Sequence, residues 1–325
     1  MSFQTKKMIK KAVSWAGLVF FGLAAYMLYH QLSKYSLNDI KEALLKIPHK
    51  NLMFAMLAAI GGYVALSSYD FLALCYIKRK VAMWKWIFAG FVGFSVSNNA
   101  GHAIVSGGTI RYRLYTRWRF RATEIVRMVT FSGFTYLVAC FFLIIVGYVL
   151  TPSHAFGAGS VSKMTTQVVT AISFVGLIGY FSLSLFYKKP LYIRDVEFDM
   201  PTFKMSLAQV FLGSADIITD SIVLYLVLIP FVPLDFMTFM GVFIIAKVLG
   251  VFSQVPGGLG VFEGLFMYII PGEHNDLTLF GALIAYRILY YLIPLLISGI
   301  MLMSYEGYLL WRRKKMLRQI RVVPG

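Results

Sequence analysis

The stretch SNNAGHAIVSGGTIRYRLYTRWRFR, residues 97–121, decides how this chain folds. It begins inside an apolar run, passes through Asn, Gly and Ser, and ends with arginines at positions 111, 113, 117, 119 and 121. An apolar run of about 20 residues can cross the roughly 30 Å of membrane hydrocarbon. Basic residues, however, concentrate on the cytoplasmic side of membrane proteins. The stretch therefore raises the question of whether the run before it crosses the membrane or turns back.

Composition places the chain in a membrane. Of its 325 residues, 59% are apolar and 14% are charged, whereas soluble domains are about one quarter charged. Backbone groups in lipid must be hydrogen-bonded within the chain, and helices achieve this within one segment. We therefore predict an all-α polytopic membrane protein. The net charge of +17 lies beside apolar runs, which indicates contact with anionic lipid headgroups rather than with nucleic acid.

Six apolar runs are long enough to be full membrane spans. The first is expected to stay uncleaved, because no small-x-small cleavage site follows it. Two further apolar regions, at about 86–110 and 237–271, are interrupted by polar residues, Gly and Pro. The six predicted spans are at about 13–32, 51–77, 125–150, 166–187, 205–230 and 278–309.

Four basic clusters constrain the topology. They lie at 6–11, 78–85, 111–127 and 312–321, and the positive-inside bias predicts that all four are cytoplasmic. Region 86–110 must then enter the membrane from the cytoplasm and return. By the same reasoning the second interrupted region, broken at SQVPGGLG, is a hairpin that enters from the other side. Both termini are then cytoplasmic, with a basic tail at residues 312–325.

The order of elements repeats. Two spans, a broken re-entrant hairpin and one span form residues 1–150, and the same order in the opposite orientation forms residues 166–311 of one transmembrane domain covering residues 1–325. VSGGTIRY (105–112) and VPGGLGVF (255–262) share a Val-x-Gly-Gly core. Interrupted segments at corresponding positions of inverted repeats mark the binding sites of many transporters. The alternative is coincidence between two Gly-Gly pairs in a chain with 27 glycines.

The first break carries features of an anion site. Thr109 is expected to cap a half-helix there, and Gly107 and Gly108 allow close approach to the backbone. Arg111 and Arg113 follow, and a guanidinium is a planar fork suited to phosphate oxygens. The later arginines of the stretch are expected only to set topology and to touch headgroups.

Ionisable residues also lie inside predicted spans, where they are costly and suggest function. Asp216 and Asp220 are four residues apart, which puts both carboxylates on one helix face. Glu263 follows the Pro-Gly-Gly break, and Lys247 and Arg287 lie in apolar segments. Two purely structural ion pairs, Asp220 with Lys247 and Glu263 with Arg287, are the alternative.

Other polar residues are expected to be less informative. Asp70 and Glu306 lie near predicted cytoplasmic ends, where an interfacial position is expected. His102 falls in the first break and is expected to be a hydrogen-bonded loop residue. Cys75 and Cys140 lie in apolar spans as small packing residues.

Sequence signatures of catalysis are absent. The chain has no Walker loop, no His-Glu-x-x-His and no Gly-x-Ser-x-Gly. The longest predicted internal loop, about 188–204, is too short for a catalytic domain, which excludes an ATP-driven pump for this chain alone. We predict no catalytic residue, no metal site and no cofactor.

Two segments carry a family resemblance. SGGTIRYRLY (106–115) and QVPGGLGVFEG (254–264) resemble the signature segments of the lysylphosphatidylglycerol synthase transmembrane region family. That family includes the N-terminal flippase domain of the bacterial multiple peptide resistance factor and stand-alone inner-membrane proteins. The resemblance implies an inner-membrane translocase for phospholipid, including aminoacylated phosphatidylglycerol. The 325 residues hold no counterpart of the aminoacyl-transfer domain, so we expect translocation without synthesis.

The residue pattern and the resemblance together suggest a binding site. Lipid phosphate is expected at Arg111, Arg113 and the Gly107–Thr109 half-helix, and a cationic headgroup is expected at Asp216, Asp220 or Glu263. The complete set of predicted substrate-binding residues is Gly107, Gly108, Thr109, Arg111, Arg113, Asp216, Asp220, Lys247, Pro256, Gly257, Gly258, Glu263 and Arg287.

Two other functions stay open at this stage. Relatives linked to lipid-borne glycans suggest a translocase for polyprenyl-linked sugars. A different class is a non-transporting membrane subunit that scaffolds or regulates a separate lipid-modifying enzyme. A cavity lined by the ionisable residues would favour transport, and a dry core with every charge paired would favour the scaffold. A homo-oligomer is compatible with any of these functions.

The topology gives the first testable prediction. Single cysteines replacing Thr116 and Thr238, in a background without Cys75 and Cys140, can be probed from outside the cell with an impermeant thiol reagent. Position 116 should be protected, because it lies within an arginine cluster that is predicted to be cytoplasmic. Position 238 should be labelled. Labelling of position 116 in intact cells would contradict the re-entrant hairpin.

Overall fold

The structure is a computed structural model. It describes residue 42 and residues 44–321, apart from 101–102, 151–162, 194–195, 233, 253–254 and 271–275. The predicted first span at 13–32, the loop residue His102 and residues 322–325 lie outside the described residues.

The described chain is almost entirely helical. Five of its helices are long and apolar enough to cross a membrane, and they coincide with five of the six predicted spans. The all-α polytopic class is therefore confirmed. In chain order the helices are α1 (His49–Tyr76), α2 (Met83–Ala100), α3 (Ala103–Arg117), α4 (Ala122–Leu150), α5 (Lys163–Phe186), α6 (Phe203–Leu228), α7 (Phe236–Phe252), α8 (Val261–Ile269), α9 (Asp276–Arg287) and α10 (Ile293–Arg321).

Helices α2 and α3 form the first hairpin. A Cβ placed on Gly107 would lie 1.8 Å from Ser97 Oγ and 2.8 Å from the Gly93 carbonyl oxygen, so the two helices are in backbone contact. At the open end, Lys85 Nζ lies 5.4 Å from the ring centre of Trp118. The start of α2 and the end of α3 are therefore at the same end of the bundle, and the predicted return of 86–110 is confirmed.

Helices α7 and α8 form the second hairpin, joined through a 3₁₀ turn at Pro256–Gly258. The ring centres of Phe243 and Phe262 are 5.8 Å apart, and those of Phe239 and Phe266 are also 5.8 Å apart, which fixes an antiparallel pair. The turn contains left-handed backbone, with φ of 61° at Gly257. A residue with a Cβ is strained there, so the Pro-Gly-Gly sequence sets the position of the break.

The two hairpins meet at their tips. A Cβ on Gly257 would lie 3.2 Å from the Asn99 carbonyl oxygen and 3.3 Å from that of Asn98. These asparagines are in the last turn of α2, next to the first break. The interrupted segments of the two sequence halves therefore contact each other in the interior. The division into inverted-repeat halves stays a prediction.

The predicted cytoplasmic segments gather at one end of the bundle. Arg79 pairs with Glu124 at 3.4 Å, and Arg117 pairs with Glu306 of α10 at 2.6 Å. The loop after α5, which holds strands β1 (Leu191–Ile193) and β2 (Val196–Phe198), reaches the same end. There Asp199 pairs with Arg127 of α4. Segments that share the cytoplasmic side must lie at one end of the bundle, as these do. Which end of the bundle faces the cytoplasm stays a prediction.

One local prediction was wrong. Helix α3 begins at Ala103, so Gly107, Gly108 and Thr109 lie inside it and Thr109 is not its cap. The amides of the second helical turn are bonded to the turn before them. Gly107 serves a different purpose, because it allows α3 to pack directly on α2. The basic segment that was predicted as a tail continues α10 as helix to Arg321.

The hairpin contact gives a second prediction. Gly107→Ala should destabilise the protein relative to Gly108→Ala, since a Cβ on Gly108 meets only Val129, at 3.6 Å. Overpacking of this kind costs about 1–3 kcal/mol, and both variants gain the same helix propensity from alanine. Unfolding in mixed detergent micelles measures the difference. Equal stabilities would contradict the close approach of α3 to α2.

Candidate functional site

The first buried ion pair joins α1 to α3. Arg111 Nε donates to Asp70 Oδ1 at 2.8 Å, and the Tyr115 hydroxyl donates to Asp70 Oδ2 at 3.0 Å. Arg111 and Asp70 are 3% and 1% exposed. The guanidinium also stacks 4.2 Å from the ring centre of Phe94. The predicted interfacial position of Asp70 is wrong, because this face of α1 packs against the first hairpin instead of facing headgroups.

Arg113 does not share the buried position of Arg111. Its guanidinium pairs with Glu306 at 2.9 Å, and its side chain is 38% exposed. Two residues along a helix are about 200° apart around the axis, so Arg111 and Arg113 face opposite sides of α3. Glu306 also pairs with Arg117, near the end of the bundle, as its predicted interfacial position requires.

The second buried pair closes the break of the second hairpin. Arg287 Nε donates to Glu263 Oε1 at 2.5 Å, and Arg287 Nη1 donates to the Gly257 carbonyl oxygen at 2.6 Å. Glu263 Oε2 accepts from the Gly260 amide at 2.8 Å. The Glu263 carboxylate thus occupies the N-terminus of α8, where the free amides would otherwise attract an anion. The ion pair of Glu263 with Arg287, which the sequence left as an alternative to a role in binding, is present.

The third pair lies between α6 and α7. Lys247 Nζ donates to Asp220 Oδ2 at 2.7 Å and to the Tyr291 hydroxyl at 2.5 Å. The Tyr286 hydroxyl donates to Asp220 Oδ1 at 2.8 Å. The ion pair of Asp220 with Lys247, the other alternative, is therefore also present, and the hydroxyls of Tyr286 and Tyr291 bond to it.

Asp216, one turn before Asp220, has different partners. Its Oδ2 accepts from the Tyr69 hydroxyl at 3.0 Å and its Oδ1 from the Tyr290 hydroxyl at 3.3 Å. The carboxylate is 4% exposed. No Lys or Arg nitrogen lies within 4 Å of it in the described parts of the chain. Sequence reasoning placed Asp216 in the site but missed its hydroxyl partners.

A π-helical segment between α9 and α10, Ile288–Leu292, supplies Tyr290 and Tyr291. Such segments shift the backbone bonding pattern and are frequent at functional sites. The Tyr63 hydroxyl donates to the Tyr290 carbonyl oxygen at 3.0 Å, and Asn99 Nδ2 donates to that of Tyr291 at 3.1 Å. The irregular turn is therefore held by α1 and by the tip of the first hairpin. No sequence signal beyond the Tyr-Tyr pair itself indicates it.

Two guanidinium nitrogens in the site have no hydrogen-bond partner among the described residues. They are Nη2 of Arg111 and Nη2 of Arg287, and both are buried. Buried polar atoms are nearly always hydrogen-bonded, so each exception calls for an explanation. Arg287 contacts the break of the second hairpin at Gly257, whereas Arg111 lies within α3 and packs against Gly93 and Gly107.

An apolar groove lies beside the polar cluster. Its volume is about 420 Å³, and it runs between α1, the start of α2 and the start of α10. Tyr63 forms part of its wall and contacts Tyr290 on the other side. Tyr63 and Tyr290 therefore connect the groove to Asp216, since the Tyr290 hydroxyl donates to that carboxylate. The lining residues are Met56, Ala59, Ile60, Tyr63, Val64, Ser67, Ser68, Met83, Trp86, Ile87, Phe91, Leu289, Ile293, Pro294 and Ile297.

Comparison with known proteins agrees with the signature segments. The sequence model of the family described as "Lysylphosphatidylglycerol synthase TM region" matches residues 14–298. The chain is 30% identical to an uncharacterized protein of Synechocystis, over 93% of this chain and 94% of that one. It is 26% identical to the inner membrane protein YbhN of Escherichia coli, over 93% of each chain. It is 25% identical to phosphatidylglycerol lysyltransferase of Staphylococcus xylosus, over 87% of this chain but 33% of that protein.

The buried pair of α1 and α3 gives a third prediction. Asp70→Asn leaves the Arg111 guanidinium buried and uncompensated, which costs about 3–5 kcal/mol. Glu306→Gln breaks partly exposed pairs and should cost about 0–1 kcal/mol. The free energy of unfolding in mixed micelles measures both variants. An equally small loss in both would mean that Arg111 is solvated.

Proposed function

The chain belongs to the lysylphosphatidylglycerol synthase transmembrane region family, and on that premise we propose that it is a phospholipid translocase of the bacterial inner membrane. Family membership supports a lipid-related function in the membrane. In our proposal the protein carries a polar headgroup between leaflets and catalyses no covalent step.

The observation that carries the proposal is the buried polar cluster at the meeting point of the two hairpins. Charged side chains inside a membrane are expensive and usually mark the path of a polar substrate. Irregular backbone at membrane depth is tolerated where it is buried in protein or lines a polar cavity. The 3₁₀ turn at Pro256–Gly258 and the π-helical segment Ile288–Leu292 both border this cluster.

The phosphate is assigned to the two buried arginines, Arg111 and Arg287. Arg111 and Arg287 each use Nε to hold a carboxylate, and each keeps an unpartnered buried Nη2. Guanidinium nitrogens donate strongly to phosphate oxygens. Each arginine can therefore keep its structural pair while its free nitrogen contacts a passing phosphate. Arg113, half-exposed beside Glu306, is assigned to the entrance of the path.

The acyl chains are assigned to the apolar groove. Its walls are formed mainly by aliphatic side chains and by Phe91 and Trp86. A chain lying in the groove would place the attached headgroup next to Tyr63, at the border of the polar cluster. This division keeps the tail in an apolar environment while the headgroup changes leaflet.

The relatives indicate which lipid headgroup to test first. The name of the staphylococcal relative connects this transmembrane region with phosphatidylglycerol and lysine. Phosphatidylglycerol and its aminoacylated form are therefore the first substrates to test. A cationic aminoacyl group is assigned to Asp216, because the other buried acids of the cluster already hold a cation.

A scaffold for a lipid-modifying enzyme is the second candidate. It is favoured by the pairing of Asp70, Asp220 and Glu263 with basic residues, since paired charges require no substrate. The unpartnered arginine nitrogens and Asp216 favour transport.

Reconstitution gives the fourth prediction. Liposomes containing only this protein should move fluorescent phosphatidylglycerol between leaflets, as measured by protection from a membrane-impermeant quencher. Arg111→Lys keeps the charge opposite Asp70 but removes the free nitrogen. A hydrogen bond to a charged group is worth about 1.5–3 kcal/mol, so the rate should fall on the order of tenfold or more.

Arg119→Lys is the matched control, because Arg119 is an exposed residue of the same basic segment and should leave the rate unchanged. Equal losses in both variants would mean that the arginines act only as surface charge. No movement of plain phosphatidylglycerol, aminoacylated phosphatidylglycerol or a polyprenyl-linked sugar would leave the scaffold as the better function.

A further inference from the structure

Asp216 differs from the other carboxylates of the buried cluster. Asp70, Asp220 and Glu263 each lie within 2.8 Å of a Lys or Arg nitrogen. In the part of the chain that the structure covers, Asp216 has only hydroxyl partners. It is nevertheless as deeply buried as the others, at 4% exposure. An ionised carboxylate in this position adds one negative charge that no basic residue balances.

The two hydroxyl partners suit both protonation states of Asp216. As donors, Tyr69 and Tyr290 stabilise the ionised carboxylate through one oxygen each. A protonated carboxyl instead becomes a donor and needs an acceptor. A tyrosine oxygen can accept as well as donate, because its O–H rotates. Asp216 therefore has hydrogen-bond partners in both its ionised and its protonated state.

The surroundings of Asp216 act on its protonation in both directions. Burial and the neighbouring charge of Asp220 disfavour the ionised form, whereas Lys247 and the two donated hydrogen bonds favour it. Lys247 is held by Asp220, so it cannot fully compensate both acids. The titratable groups that face Asp216 are Asp220 on its own helix, Tyr69 of α1, Tyr136 and Cys140 of α4, Lys247 of α7 and Tyr290 of the π-helical segment.

We propose that Asp216 is a proton-binding site whose loading and release couple lipid movement to a pH difference across the membrane. This inference rests on the proposed translocase function. The proton comes from water at one surface, forms an O–H bond on a carboxylate oxygen, and leaves to water at the other surface. Protonation removes the excess negative charge of the cluster. It thereby releases a cationic headgroup or eases the passage of an anionic phosphate.

Infrared difference spectroscopy tests the proton site without any lipid assay. The purified protein should show the carbonyl stretch of a protonated carboxyl that persists above the pH range in which exposed acids titrate and disappears as the pH is raised further. Asp216→Asn should lose this band, and Asp216→Glu should retain a shifted one. Asp199→Asn, a change in an exposed carboxylate at the end of the bundle, should keep it. Absence of the band, or its persistence in Asp216→Asn, overturns the proposal.

A pH gradient across the liposome membrane tests the coupling. In the wild type, an imposed gradient should change the initial rate of lipid movement, and a protonophore should abolish the change. Asp216→Asn should move lipid at one rate with or without the gradient. If lipid moves but the wild type ignores the gradient, the coupling is wrong. If no lipid moves while the infrared band behaves as expected, the translocase proposal fails and the proton site stands.

Discussion

The architecture of the interior depends on the hydrogen bonds made by one guanidinium. Arg287 binds the Glu263 carboxylate and the Gly257 carbonyl oxygen at once, so it ties α9 to both sides of the break in the second hairpin. Glu263 in turn caps α8 through the Gly260 amide. A break in a helix exposes backbone groups that lipid cannot satisfy. Here a single arginine and a single glutamate satisfy several of them, which makes a broken helix stable at this depth.

The first hairpin is stabilised differently. Its helices are joined by close packing of Gly107 on Gly93 and Ser97, and its charge, Arg111, is held from outside the hairpin by Asp70 of α1. In the second hairpin, Lys247 of α7 is likewise held from outside, by Asp220 of α6. In each case a long spanning helix supplies the acid and a hairpin supplies the base. Neither hairpin can therefore be displaced from the bundle without separating a buried pair.

Much of this arrangement could be predicted from the sequence, for physical reasons. Span length and charge bias are properties of short segments, so the five described spans and the return of 86–110 could be derived from the sequence. The pairs Asp220–Lys247 and Glu263–Arg287 were recognisable because an unpaired charge is intolerable in lipid. The position of Asp70 was missed because distance from a helix end does not reveal which face packs inward. Thr109 was misplaced because glycines that allow helices to touch look the same in sequence as glycines that begin a helix. Of the two tyrosine partners of Asp216, Tyr290 depends on a π-helical segment that has no local signature, and Tyr69 lies on a face of α1 that the sequence alone does not show to pack inward.

The contact between the hairpin tips has a mechanical consequence. Gly257 touches the carbonyl groups of Asn98 and Asn99 directly, so the junction is backbone against backbone. Side chains can absorb a displacement by changing rotamer, but carbonyl groups within a helix cannot. A shift of one hairpin must therefore be transmitted to the other or open the junction. The open ends of the hairpins lie at opposite ends of the bundle: Lys85 approaches Trp118 at one end, and at the other Phe236, the start of α7, contacts Tyr225 near the end of α6. In the proposed translocase, a path that widens on one side is therefore expected to narrow on the other. Such a linkage would prevent both leaflets from being connected by an open pore at the same moment.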